Sequence, residues 1–224
     1  MRRTKEQAAE TGRQILQAAE SLFLDKGFDK VSLEEIAAAA GVTRGAVHWH
    51  FRNKQGLLTA LRDRAQEPFR KLAQTLSESP DAASLAKLGD LIAEMFERLQ
   101  TDPRQQGMIR GIMRLDIVMA DNAEEGGSTF REEMVKHFAQ IFQLVERDVG
   151  LPPPWSPQTA AVTLNAAVSG LVGEWALDKG RCHLVPEGQA FIKLVLSSWT
   201  REQKKTGDDR PAPDGDPVAR QPPH

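Results

Sequence analysis

At 224 residues, with 40% apolar and 27% charged residues and a formal net charge of −2, the chain has the composition of a soluble protein that can bury a core. No run approaches the roughly 18 uncharged apolar residues that a membrane span needs, and residues 1–6 are too polar for a signal peptide, so we expect a cytoplasmic protein with no membrane partner. The only cysteine, Cys182, excludes an internal disulfide and a cysteine-ligated zinc site.

The first 40 residues predict two helices. Apolar residues between positions 15 and 23 recur at three- and four-residue spacing, and Gly27 follows as a stop. Ser32 and Glu35 have the spacing of a capping box, in which each side chain bonds the other residue's amide. This box predicts a short second helix that ends at Gly41.

Two further helices follow at once. Thr43 is a plausible N-cap for a helix that runs to about His50, and Asn53 is a plausible N-cap for a longer one that begins at Lys54. Pro68 lies inside that longer helix and is expected to kink or interrupt it, because proline removes an amide donor and clashes one turn back. The helix from Lys54 to about residue 76 joins the two parts of the chain and is the predicted lever between them.

Beyond residue 80 the apolar stripes are longer. They lie at 85–99, 108–119, 130–145, 161–175 and 191–199, and no alternating β-branched run predicts a sheet. Residues 204–224 are rich in Pro, Asp and Gly, which predicts a disordered tail. We therefore predict an all-α fold with a three-helix DNA-binding head at 1–60, a larger helical ligand-binding and dimerisation domain at 61–203, and the tail.

Charge is unevenly distributed along the chain. Residues 36–62 include no acidic residue, whereas Arg44, Arg52, Lys54 and Arg62 are basic. DNA carries one negative charge per ~1.7 Å of axis, so a protein surface that contacts it must be locally free of carboxylates. The segment predicts a DNA-contacting surface, and the alternative is a solvated helix face that lacks acids by chance.

The two short helices on either side of Gly41 form a helix-turn-helix, whose second helix enters the major groove with its N-terminal residues on base edges. Arg44 is the predicted reader of guanine, because its planar fork matches O6 and N7 together. Val47 is expected to pack inside rather than to touch a thymine methyl group. The predicted DNA-binding residues are Ser32, Thr43, Arg44, Gly45, Ala46, His48, Trp49, His50 and Lys54.

Residues 36–58, IAAAAGVTRGAVHWHFRNKQGLL, resemble the DNA-binding motif of the tetracycline-repressor (TetR) family, and ILQAAESLF at 15–23 resembles that family's first helix. The likeness covers about residues 10–60. Trp49-His50-Phe51 is further similar to the AcrR-like branch of multidrug-efflux repressors. The resemblance implies an obligate homodimer of nine- or ten-helix chains, dimerisation through the last two long helices, and induction by small ligands.

Position 48 is usually tyrosine in that family, and this chain has no tyrosine. His48 can still donate a hydrogen bond to a phosphate, and a charged imidazole strengthens it. We therefore expect DNA affinity to rise as the pH falls from about 8 to about 6.

The sensing and dimer residues are assigned from the apolar stripes. Met and aromatic side chains adapt to varied apolar ligands, although each of them is equally an ordinary core residue. The predicted ligand pocket comprises Met95, Phe96, Leu99, Ile109, Met113, Phe138, Phe142 and Trp175. The predicted dimer interface comprises Leu164, Val168, Leu171, Val172, Phe191, Leu194 and Val195.

The function predicted from these features is a ligand-responsive repressor that binds a near-palindromic operator as a dimer, is released by small apolar or aromatic compounds, and controls a multidrug-efflux operon. A constitutive DNA-binding regulator and a helical enzyme or carrier are the alternatives. Neither a catalytic motif nor a cofactor or metal site is recognised. His48 and His50 lie about 200° apart on a helix, and Glu133 with His137 lacks a second such pair.

Overall fold

A computed structural model of the protein describes residues 5–78, 84–121, 129–177 and 181–199. Within these ranges there are α-helices and short turns but no strand, which confirms the all-α prediction. The predicted tail at 204–224 lies outside the described residues. The α-helices are α1 Lys5–Lys26, α2 Leu33–Ala39, α3 Arg44–Phe51, α4 Lys54–Glu78, α5 Ser84–Thr101, α6 Gln105–Asp121, α7 Phe130–Asp148, α8 Pro157–Leu177 and α9 Gln189–Ser198.

The helix starts in the head follow the sequence signals. The Ser32 hydroxyl accepts from the Glu35 amide and the Glu35 carboxylate accepts from the Ser32 amide, so the capping box is complete. Thr43 caps α3 by accepting from the amide of Ala46 at 3.2 Å. Between α2 and α3 the chain turns at Gly41, whose φ of 65° is a left-handed conformation that a side chain disfavours.

Two apolar cores are present, and α4 passes from one to the other. The head core comprises Ile15, Ala19, Phe23, Val31, Ile36, Ala37, Val47, Leu57, Leu58, Leu61, Met108, Ile112 and Leu115. The sensing-domain core is built from the second half of α4 and from α5, α7, α8 and α9. The last three residues of the head core belong to α6, so this helix of the sensing domain is packed as a part of the head.

Pro68 was expected to kink or interrupt α4, and the interruption does not occur, because the helix runs unbroken from Lys54 to Glu78. The neighbouring Gln66 and Phe69 are buried, and Phe69 packs edge-on against Phe138 of α7. Most helix stability in proteins comes from tertiary packing, which here outweighs the missing hydrogen bond. The helix also crosses the predicted domain boundary at residue 60 without a break.

Helix α8 has apolar residues on every side, and Glu174 is its one charged residue. By length and composition it could cross a membrane, but 44% of its most apolar 18-residue window is buried inside the protomer. Its outward side bears small residues, among them Ala166, Ser169 and Gly170. These leave the helix backbone accessible to another helix.

Candidate DNA-binding interface and sensing domain

Helix α3 is anchored to the head by Val47, which is 1% exposed and belongs to the head core. This confirms that Val47 packs inside. Arg44, Gly45 and His48 lie on the exposed side of the same helix. Because the buried valine fixes the rotation of α3 about its axis, Arg44, Gly45 and His48 face solvent, and Ala46 is partly exposed.

The guanidinium of Arg44 forms an ion pair with the carboxylate of Glu34, at 2.9 Å between Nη1 and Oε1. Glu34 lies in the first turn of α2, and both side chains are largely exposed. A guanidinium has five N–H donors, so one carboxylate leaves donors free to meet a guanine. Glu34 lies two residues before the acid-free segment in sequence, but the ion pair brings its carboxylate directly beside Arg44, the predicted base-reading residue.

His48 has one ring nitrogen engaged within the head. Its Nδ1 lies 2.6 Å from the carbonyl oxygen of Arg52, whose φ of 62° turns that carbonyl back toward α3. A bond to a carbonyl requires the ring to donate, so Nδ1 bears the hydrogen. In a neutral ring Nε2 is then an acceptor that phosphate repels, whereas in the imidazolium it is a donor.

Trp49 and His50 differ in exposure, although their rings touch edge-on with centroids 4.6 Å apart. Trp49 is 72% exposed, the largest exposed fraction of any large apolar side chain in the described part of the protein. His50 is half-buried and faces α1, with Nδ1 3.3 Å from the position that a Cβ would take on Gly12. Trp49 is therefore available to a partner, whereas His50 holds α3 against α1.

Lys54 has a structural role that the sequence did not indicate. Its Nζ donates to the carbonyl oxygens of Phe28 and Asp29, at 2.7 and 3.3 Å, and lies 4.7 Å from the centre of the Phe28 ring. These contacts attach the start of α4 to the turn that follows α1. Lys54 remains partly exposed, so its charge is still near the surface that α3 presents.

Arg62 does not belong to the DNA-contacting surface, which corrects the sequence interpretation. It is 4% exposed, and its guanidinium lies 3.1 Å from Asp63 and 4.0 Å from Asp116 of α6. Its position four residues after Leu58 was the available signal, because that spacing places it on the buried face of α4.

A buried polar junction joins α4, α6 and α7. Asp116 accepts hydrogen bonds from the amides of Phe130 and Arg131, at 2.8 and 3.3 Å. Gln66 of α4, which is 6% exposed, donates to the carbonyl oxygen of Phe130 at 3.3 Å. Since Phe130 packs against both cores, this junction lies where the head meets the sensing domain.

Two ion pairs also connect α6 to the head. Arg104 lies just before α6 and pairs with Asp25 at 2.7 Å, and Arg114 pairs with Asp29 at 3.0 Å. Arg104 also binds Asp102, and its hydrogen bonds lower the pKa of that carboxyl group. Because these side chains are largely exposed, the pairs orient α6 more than they stabilise it.

The residues of the predicted ligand pocket are mostly packed core. Phe96, Phe138 and Phe142 are completely buried, Leu99 and Trp175 are buried, and Met95 and Ile109 pack against the same core. Met113 is the exception, because it is 37% exposed and its Cε lies 3.5 Å from the position of a Cβ on Gly173 of α8. A ligand among the other seven residues must displace packed side chains.

Two open clefts occur elsewhere in the sensing domain, and neither is lined by the eight predicted pocket residues. The cleft between α8 and the start of α9, of about 830 Å³, is lined by Leu171, Glu174, Leu177, Arg181, Cys182, His183, Glu187, Gly188 and Phe191. The other cleft, of about 800 Å³, lies between α5 and α9 and includes Leu85, Ile92, Ile192 and Leu196.

The predicted dimer residues divide into two sets. Leu164 and Val168 are buried in the core of a single protomer, so they are not available to a partner. Leu171, Val172 and Val195 are partly buried, whereas Phe191 and Leu194 are exposed. Val162 and Leu177, which α8 presents to solvent, were not among the predicted residues.

Comparison with known proteins extends the likeness over both domains. Residues 15–61 match the sequence model of bacterial regulatory proteins of the tetR family. Over 204 residues the chain is 34% identical to the HTH-type transcriptional repressor BepR of Brucella suis biovar 1 (strain 1330), with 88% of this chain and 96% of BepR aligned. It is 26% identical to the HTH-type transcriptional regulator AcrR of Shigella flexneri, over 88% of this chain and 93% of AcrR.

Among solved structures, the chain is similar to NalD, described as the secondary repressor of the MexAB-OprM multidrug efflux pump in Pseudomonas aeruginosa. The two share 31% sequence identity with a TM-score of 0.61, over 88% of this chain and all of the NalD chain. The similarity therefore extends over the sensing domain as well as the head.

Proposed function

Because this chain belongs to the TetR family of bacterial regulatory proteins, we propose that it is a cytoplasmic, ligand-responsive repressor of a multidrug-efflux operon. The family and its relatives named above are transcriptional regulators rather than enzymes. The observation that supports the proposal most directly is the exposed side of α3, where Arg44 begins the recognition helix of a chain 34% identical to a repressor.

DNA recognition is assigned to α3 and its surroundings. Arg44 reads guanine. Gly45 and Ala46 have small side chains, so the backbone of α3 can approach the groove closely. Ser32, Thr43, His48 and Lys54 face phosphates; the cap hydroxyls accept amide hydrogens within the head and keep their own hydrogens for phosphate. Trp49 and His50 complete the predicted set: Trp49 rests against the sugar-phosphate backbone, and His50 supports α3 from behind.

A homodimer forms through α8 and α9, as the family resemblance implies. The interface residues are those that the protomer exposes, namely Val162, Leu177, Phe191 and Leu194, with Leu171, Val172 and Val195 at their margins. Leu164 and Val168 are left out because they fill the protomer core. A symmetric dimer places its two recognition helices in successive major grooves about 34–36 Å apart, so the operator is near-palindromic.

The inducer is a small apolar or aromatic compound that binds within the sensing domain. Met95, Phe96, Leu99, Ile109, Phe138, Phe142 and Trp175 surround this position. A ligand that enters there must push the packed helices apart, and α4 and α6 transmit the displacement to the head because both helices belong to both domains. A coupling of about 1–3 kcal/mol weakens operator binding by a factor of roughly 5–150.

The test is a gel shift of the purified protein on the DNA upstream of its own gene, with and without a panel of lipophilic cations and aromatic compounds. We expect a specific shift that at least one compound releases. As a control, quenching of tryptophan fluorescence shows which compounds of the panel bind the protein. If compounds that bind do not release the protein from DNA, induction is contradicted and the constitutive regulator is favoured. Specific binding at no upstream or distant operator contradicts the proposal as a whole.

A further inference from the structure

The exposed apolar side chains of the protein are concentrated on one side of the sensing domain. Within the described residues, eight large apolar side chains are exposed. Six of them lie on three helices, namely Met113 and Ile117 on α6, Val162 and Leu177 on α8, and Phe191 and Leu194 on α9. Trp49 on α3 and Val149 after α7 are the other two. Such a concentration is typical of a surface that another molecule covers.

Helix α6 lies beside the outward face of α8. Gln106 donates to the carbonyl oxygen of Trp175 at 2.9 Å, and Arg110 donates to that of Ala176 at 2.6 Å. Further along α6, Met113 covers Gly173. Ile117 is one turn beyond Met113 on the same side of α6, and it is 64% exposed.

Helix α9 borders the opposite edge of that face. Leu171 of α8 lines a cleft together with Phe191 of α9. Leu171 and Gly173 are two residues apart, so their directions differ by about 200° around the helix. The exposed Gly170, Glu174 and Leu177 point between them. The outward face of α8 therefore lies between α6 and α9.

We propose that the partner subunit of the homodimer covers α6 as well as α8 and α9, with Met113 and Ile117 in contact with it. The inference rests on the proposed dimer and adds a third helix to its interface. Helix α9 has only 10 residues and is about 15 Å long, so it can contribute only a part of the roughly 800 Å² that each partner buries in a specific interface. The small outward residues of α8 let a partner helix approach closely, which brings it against the side chains on both flanks.

Contact on α6 has a consequence for DNA binding. The same helix supplies Met108, Ile112 and Leu115 to the head core and an ion pair from Arg114 to Asp29. A partner that rests on α6 therefore fixes the position of the neighbouring head, and through it the separation of the two recognition helices. The interface thus contributes to the choice of half-site spacing.

Sedimentation equilibrium of substituted proteins tests the proposal. Met113→Glu and Ile117→Glu each bury a charge in the proposed interface, and we expect the dimer dissociation constant to rise about tenfold or more. Leu194→Glu tests the α9 part of the interface in the same way. Val149→Glu is the matched control, because Val149 is 43% exposed and belongs to none of the three helices, and it leaves the dissociation constant within about twofold.

The variants on α6 and on α9 test the α6 contribution and the α8–α9 dimer separately. If Leu194→Glu weakens the dimer while the two α6 variants behave as the unmodified protein, the contribution of α6 is refuted and the α8–α9 dimer stands. If Leu194→Glu also has no effect, the α8–α9 dimer itself is refuted.

A milder substitution guards against loss of folding. In a Cys182→Ser background, Ile117→Cys introduces a thiol that maleimide labels slowly at concentrations where the dimer forms and rapidly after dilution to monomer. Val149→Cys reacts at one rate throughout. Equal labelling of Ile117→Cys at both concentrations overturns the proposal.

Discussion

The carboxylate of Asp116 in α6 accepts a hydrogen bond from the amide of Phe130, at 2.8 Å, and so caps the first turn of α7 from a different helix. The neighbouring amide of Arg131 is bound by the same carboxylate. Because Arg62 of α4 also lies 4.0 Å from Asp116, this one side chain of α6 contacts both α4 and α7 at the boundary between the head and the sensing domain.

Asp116→Ala is expected to weaken the coupling between ligand and DNA. The substitution leaves two amides at the α7 N-terminus without their acceptor and removes a carboxylate from beside buried Arg62, so we expect a loss of about 1 kcal/mol or more in the free energy of unfolding. Urea denaturation at fixed protein concentration measures this loss. The factor by which an inducer weakens operator binding should also fall.

Asp90→Ala is the control, because Asp90 is an exposed residue of α5. It should change neither quantity. An Asp116→Ala protein with normal induction would show that α7 need not be held by α6.

Arg44→Ala and Lys54→Ala should affect DNA binding differently. Loss of Arg44 removes a bidentate base contact, costs about 1–3 kcal/mol on the operator and relaxes sequence preference. Loss of Lys54 weakens binding to every sequence and reduces the salt slope by about one. Binding titrations on operator and random DNA at several salt concentrations distinguish the two.

Lys54→Ala should in addition lower the melting temperature of the DNA-free protein, because Lys54 also bonds the carbonyls of Phe28 and Asp29. Arg44 is exposed, and its replacement should leave the melting temperature nearly unchanged. If the two variants lose affinity and specificity in parallel, this division of roles is wrong.

The pH dependence of operator affinity should depend on His48. With Nδ1 bound to the carbonyl of Arg52, only the imidazolium can donate to a phosphate from Nε2, so affinity should rise as the pH falls. Fluorescence anisotropy with labelled operator measures the effect. His48→Tyr provides a neutral donor and should bind tightly with little pH dependence, whereas His48→Ala should bind weakly throughout. A flat profile for the unmodified protein contradicts the assignment.

His137 should make the protein less stable in mild acid. It is buried in α7, its Nδ1 has no hydrogen-bond partner among the described residues, and burial lowers its pKa below the ordinary value, against the opposing effect of Gln140. The unfolded chain binds a proton below a pH of about 6.5, where folded His137 does not, so its contribution to stability is complete above that pH and is lost as the pH falls.

Urea titrations between pH 7.5 and 5.5 test this effect at fixed protein concentration. The slope from this group is at most about 1.4 kcal/mol per pH unit, and His137→Gln should remove it. His183→Gln, at an exposed histidine, should retain it. Identical slopes in all three proteins would locate the pH dependence elsewhere.

Much of the head could be predicted from the sequence, because its signals are local. The capping box of Ser32 and Glu35 and the cap at Thr43 involve atoms three residues apart, so their sequence spacing determines their bonds. The inward packing of Val47 was also predicted from the sequence, although Trp49 shows that the exposed side of α3 is not uniformly polar. The segment that resembles TetR repressors, residues 36–58, also consists of local signals, and it was enough to predict the family.

Only the tertiary structure decided which side chains of the sensing domain are available to a partner. Helix α8 has apolar residues on every side, so its sequence period does not distinguish buried Leu164 from exposed Val162; the packing of neighbouring helices decides which is buried. For Arg62, the spacing from Leu58 indicates the buried face of α4, but its partner Asp116, 54 positions along the chain, is known only from the folded structure. Charge and spacing are properties of the sequence, whereas burial depends on which distant segments meet, and that is determined by the folded chain as a whole.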